Sequence, residues 1–72
     1  MEIKKRFGLA VRKCRNAAGI SQEELAMRIN ADQAYVSRIE AGQMNVTLET
    51  AEEIASALNV DVGALFAETE SP

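Results

Sequence analysis

The chain has 72 residues, 47% of them apolar but only 4% aromatic, with eight basic and eleven acidic side chains and a formal net charge of −3. That length supports one small domain whose core must be built from Leu, Ile, Val and Ala, and it leaves no room for a separate effector domain. No apolar run approaches the roughly 18 residues that span a membrane and no signal-like segment follows the N-terminus, so neither a membrane span nor secretion is indicated and a cytoplasmic location is expected.

The first helix is predicted from about Glu2 or Ile3 to Ala18, with Phe7, Val11 and Cys14 falling on one face and Gly19 ending it. Cys14 is the sole cysteine and cannot form an internal disulfide, so it reads as a small core hydrophobe. The alternative is a redox-sensing thiol between Lys13 and Arg15, which would need exposure and a depressed pKa.

From Ser21 to Gly42 the chain carries two start signals and two stop signals. Ser21 followed three residues later by Glu24 is a capping box, in which hydroxyl and carboxylate satisfy orphan amides reciprocally, so a helix begins at about Gln22. Leu25, Ala26 and Ile29 form its apolar stripe, and Asn30 tolerates the left-handed conformation that stops it. Asp32 caps a second helix over residues 33–41 with Val36 and Ile39 inside, and Gly42 ends that one. Two short helices joined by a tight turn describe a helix-turn-helix.

After a polar loop, Thr47 caps a fourth helix to Leu58, with Leu48, Ala51, Ile54, Ala55 and Leu58 expected on its inner face and Asn59 closing it. Asp61 then caps a short fifth helix from Val62 to Phe66 or Ala67. The expected single domain therefore fills residues 1–72, with its core in 3–67 and a polar tail, 68–72, that frays. Val62, Leu65 and Phe66 are more apolar surface than so short a helix buries within one small chain, and they are the expected face of a symmetric dimer. The plainer alternative is that they close the bottom of the monomer core.

Charge is segregated along the chain. Residues 1–20 hold Lys4, Lys5, Arg6, Arg12, Lys13 and Arg15 against Glu2 alone, whereas the rest holds only Arg28 and Arg38 against ten acids. A chain that is acidic overall can therefore still present a basic face to a polyanion, with a shallow salt dependence.

These motifs resemble the phage repressor and Cro type of helix-turn-helix protein. The matching pieces are Gly19, Ile20, Ser21 and Gln22, then Leu25 and Ala26, then Ile39, Glu40 and Gly42, followed by Leu48 to Phe66 as that family's last two helices. Two positions depart from the pattern: Asn30 stands where the turn usually has glycine, and Val46 where a proline is usual. The resemblance implies an all-α, five-helix lambda-repressor-like domain whose third helix enters the major groove of operator DNA.

On that reading Gln33, Ala34, Ser37 and Arg38 occupy the base-contacting positions. Gln33 suits adenine, Arg38 guanine and the Ala34 methyl a thymine methyl, while Ser37 bonds several base edges. The bland alternative is four ordinary solvated side chains. Ser21, Gln22, Gln43 and Asn45 match phosphate-contacting positions, and the family also uses the glutamine at 22 to brace a recognition-helix side chain. Tyr35 adjoins the reading face, where its hydroxyl bonds a phosphate or its ring packs on the neighbouring helix. Arg15 and Glu40 match a pair that forms an internal salt bridge in relatives, the alternative being two independent surface charges.

The expected function is that of a homodimeric transcriptional regulator on a pseudopalindromic double-stranded operator, of the Cro-like repressor or restriction-modification controller kind. RNA polymerase is a further partner, for which acidic Glu49, Glu52 and Glu53 offer a surface, although a solvated helix face accounts for them more simply. An antitoxin that also binds its own promoter is the alternative, weakened because no added toxin-binding segment flanks the helices. With no histidine, no metal-ligand cluster and no phosphate loop, no catalytic residue, metal or cofactor is expected.

Overall fold

A computed structural model describes residues 2–69, and all of the regular structure among them is helical. Five helices follow in order: α1 (Ile3–Ala18), α2 (Gln22–Arg28), α3 (Gln33–Glu40), α4 (Leu48–Ala57) and α5 (Val62–Thr69). None is long and apolar enough to cross a membrane.

Local chemistry sets the ends. The Ser21 hydroxyl accepts the Glu24 amide at 3.0 Å, the Asp32 carboxylate the Tyr35 amide at 2.8 Å and the Thr47 hydroxyl the Thr50 amide at 3.1 Å, and with Glu2 accepting from Lys4 and Asp61 from Gly63 every helix starts on a side-chain oxygen. The Glu24 carboxylate turns away from its cap and takes the Arg28 Nε at 2.9 Å, a helical i,i+4 pair. Asn30 and Asn59 both adopt φ of 60°, the left-handed conformation that stops α2 and α4. α5 continues to Thr69, past the expected end at Phe66 or Ala67, because Ala67 and Glu68 are good helix formers and no breaker precedes Pro72. Residues 70–72 of the expected frayed tail lie outside the described residues.

One core joins the five helices: Phe7, Ala10 and Val11 of α1, Leu25 and Ala26 of α2, Val36 and Ile39 of α3, Ala51, Ile54 and Ala55 of α4, Leu58 at its end, and Leu65 of α5. Cys14, Ile20, Ile29, Tyr35, Val46 and Val62 pack against its edge. α1 is the central element, touching both α3 and α5, and α2 lies on α3.

Two expectations need correction. Leu65 is completely buried and belongs to the monomer core, because α5 lies flat against α1 and turns that residue between them; it is not available to a partner. Leu48, expected inside, is 79% exposed. It has the helical register of Ala51 and Ala55, but as the first residue of α4 it overhangs the core and instead lines a shallow apolar cleft of about 210 Å³ with Ile3, Phe7, Met44 and Phe66.

Candidate nucleic-acid interface

α3 has two unlike faces. Val36, Ile39 and Glu40 are buried, whereas Gln33, Ala34, Ser37 and Arg38 are all exposed on the other side. The four candidate base-contacting side chains therefore form one outward ridge on a helix whose opposite face is fixed in the core, the arrangement a major-groove helix requires. Tyr35 lies between the faces, half-buried, with its ring packed against the core.

The back of α3 is held by α1. The Arg15 Nε donates to Glu40 Oε2 at 2.7 Å and its Nη2 to Glu40 Oε1 at 3.1 Å, while Nη1 donates to the Ile20 carbonyl oxygen at 3.0 Å. The two side chains are only 11% and 4% exposed, so this is a two-bond, largely desolvated ion pair. The Glu40 hydrogen bond raises the Arg15 pKa further above its already high value, against the opposing effect of burial.

Gly8 completes the clamp. A Cβ there would lie 2.7 Å from the Glu40 carbonyl oxygen and closer still to that of Ile39, so only glycine lets α1 pass this near the end of α3. Sequence reasoning missed this role, although a glycine inside an amphipathic helix is itself a signal that something approaches closely. Gly42 combines a φ of 75° with contact on Lys5, whose Cα would lie 2.8 Å from an added Cβ. The backbone and Cγ of Lys5 are thereby packed on Gly42, at the start of the loop that carries the neutral Gln43 and Asn45. Gln43 and Asn45 are both exposed.

At the N-terminal end of α2, Ser21 is exposed and Gln22 half-buried. The Gln22 Nε2 donates to Glu40 Oε1 at 3.0 Å, and its Oε1 accepts from Gln33 Nε2 at 3.3 Å. Arg15, Glu40, Gln22 and Gln33 thus form one continuous hydrogen-bonded chain from the interior to the exposed ridge. At the far end of α2, Arg28 Nη1 donates to the Ala57 carbonyl oxygen at 2.9 Å and ties α2 to the C-terminus of α4. Of the expected dimer residues, Val62 is half-buried against the core and Phe66 is 38% exposed, its ring 5.7 Å from that of Phe7.

A capped helix pair with a buried inner stripe and an exposed polar ridge defines a DNA-binding helix-turn-helix regulator, and residues 11–65 match the helix-turn-helix family, to which the chain belongs. It is homologous to restriction-modification controller proteins. It is 39% identical over 70 residues to the control protein C.MunI of a Mycoplasma species, covering 96% of this chain and 95% of that one. The solved structure of the restriction-modification controller protein C.AhdI from Aeromonas hydrophila superposes with a TM-score of 0.83 at 40% identity, over 86% of this chain and 90% of that one. The clp gene regulator ClgR from Corynebacterium glutamicum superposes with a TM-score of 0.94 at 26% identity, over 96% of this chain and 88% of that one.

Proposed function

We propose that two copies of this protein bind a pseudopalindromic operator in the cytoplasm and that α3 of each enters the major groove, as a controller of restriction-modification genes or a Cro-like repressor. The observation that carries this is the exposed ridge of Gln33, Ala34, Ser37 and Arg38 on a helix whose opposite face is buried. Gln33 reads adenine, Arg38 guanine and Ala34 a thymine methyl, with Ser37 adding a less selective bond. Ser21, Gln22, Gln43 and Asn45 hold phosphates on either side, joined by Lys5.

One such domain reads half a site, so two are needed, centred about 34 Å apart on one side of the duplex. The proposed dimer surface is the apolar cleft where exposed Leu48, Phe66 and Ile3 meet, together with Val62 of the same helix as Phe66. Glu49, Glu52 and Glu53 are exposed on α4, outside the reading ridge, where a bound regulator would offer them to RNA polymerase.

A mobility shift on fragments of the protein's own upstream DNA, with excess nonspecific competitor and at two salt concentrations, tests the proposal. A discrete, competitor-resistant complex with two protomers is expected. A smear that salt abolishes would overturn it.

A further inference from the structure

The carboxylate of Asp32 is only half used. Its Oδ1 accepts the Tyr35 amide at 2.8 Å and so caps α3, whereas its Oδ2 has no partner among the described residues and the side chain is exposed. We infer that Asp32 is a specificity-determining residue: Oδ2 accepts the N4 amino group of a cytosine next to the base pair met by Gln33, and the charge turns other bases away from that position. The inference rests on the reading of α3 as the helix that enters the major groove.

Capping does not explain the charge. A neutral hydroxyl caps α2 at Ser21 and α4 at Thr47, through amide bonds of 3.0 and 3.1 Å, so the same bond at the start of α3 needs no anion. The helix dipole favours a carboxylate there, but the phosphates of DNA repel it and weaken binding to any duplex. Arg15 and Arg28 are committed to Glu40 and Glu24 rather than to Asp32. In a helix-turn-helix the N-terminal end of the second helix meets the base edges, and Asp32 stands at that end, immediately before the exposed Gln33.

A carboxylate in that place can only accept. Cytosine offers its N4 amino group to the major groove with no acceptor of its own beside it. Guanine offers the acceptors N7 and O6, thymine the acceptor O4 and a methyl, and adenine sets its N6 amino group next to the acceptor N7. Three of the four bases therefore bring a lone pair up to an anion. Asp32 works as much by exclusion as by attraction: it lowers affinity for DNA in general and recovers it where cytosine stands.

The test is selection from a pool of randomised duplexes with the wild type, Asp32→Asn, Asp32→Ser and Arg38→Ala, followed by titration of duplexes that differ only at the position the Asp32 variants alter. Asparagine keeps the size and the cap, but its amide donates as well as accepts. Serine keeps the cap, as Ser21 does on α2, and is too short to reach a base. Because both retain the cap, the ratio of affinities for two duplexes reports the base contact and cancels any uniform change in folding.

At that position the wild type should favour cytosine over each other base by about tenfold, and both Asp32 variants by less than about twofold. Both should also bind an unrelated duplex roughly threefold more tightly, since a unit repulsion at about 7 Å across water is removed. Absence of that gain would overturn the exclusion. Base preferences unchanged in both Asp32 variants, where Arg38→Ala loses one, would overturn the cytosine contact and leave the groove reading of α3 standing. If no variant alters a position, the groove reading fails and the inference with it.

Discussion

The Arg15 guanidinium grips the Glu40 carboxylate through two hydrogen bonds of 2.7 and 3.1 Å, across 25 residues of sequence and with both side chains almost out of water. Removing one partner leaves the other desolvated and unpaired, which in buried pairs costs about 3 kcal/mol. In a domain of this size, Glu40→Ala should lower the melting temperature by on the order of 10 °C or more. Replacing both residues with Met should lose less than either single truncation, and a thermal double-mutant cycle checks this. An unchanged melting temperature in Glu40→Ala would rule out a structural role for the pair.

The same pair predicts how the protein meets pH. The folded-state pKa of Arg15 lies above its unfolded value, so its contribution is fully present below the unfolded value and is lost only as pH rises through the folded one, far into alkali. The chain has no histidine. Melting curves between about pH 6 and pH 8 should therefore coincide within about 2 °C, and a clear slope across that interval would point to a titrating group elsewhere.

Gly8→Ala tests the close crossing of α1 over α3. Alanine favours an exposed helix over glycine by about 1 kcal/mol, but here the new methyl meets backbone carbonyls that cannot turn aside. The crossing has to open, so a net loss of about 1 to 3 kcal/mol is expected in chemical denaturation. Because the element pushed away carries the proposed base-reading ridge, operator affinity should drop further than the melt alone accounts for. A stabilised Gly8→Ala would show that the helices can separate freely.

Lys5→Gln should reduce the slope of log affinity against log salt by about one, uniformly across DNA sequences. The measurement is a salt titration of binding to the operator and to an unrelated duplex. An unaltered slope would remove Lys5 from the phosphate-contacting set.

Leu48→Glu and Leu65→Ala should behave as opposites. The first places a charge on a side chain that is 79% exposed, so it should leave the monomer folded and shift sedimentation from dimer to monomer. The second empties part of the core and should cost about 2 to 5 kcal/mol. A dimer that survives Leu48→Glu would place the interface on another face.

What the amino acids announce in advance is largely local. Ser21, Asp32 and Thr47 each bond an amide three residues on, and Asn30, Gly42 and Asn59 each impose a left-handed backbone, so the helix boundaries can be read from short stretches of chain. The fate of Leu48 and Leu65 is not local. Both keep helical register with buried neighbours, and only the way α4 overhangs and α5 lies on α1 decides that one is exposed and the other sealed. Gly8 and the contact between Gln22 and Glu40 were hidden for the same reason, since each joins residues far apart in sequence. The ridge of α3 was legible because it follows from periodicity once Val36 and Ile39 are known to face inward.

That ridge and its buried underside have separate obligations. Ala34, Ser37 and Arg38 are exposed and outside the core, so they can be exchanged at little penalty to folding, and under the proposed base reading a descendant could acquire a new target by altering three surface side chains. Gln33 is the exception, bound into a network that ends at a buried carboxylate. Evolution along this helix should be fast at three positions and slow at the fourth, and reprogramming in the laboratory should start with the three.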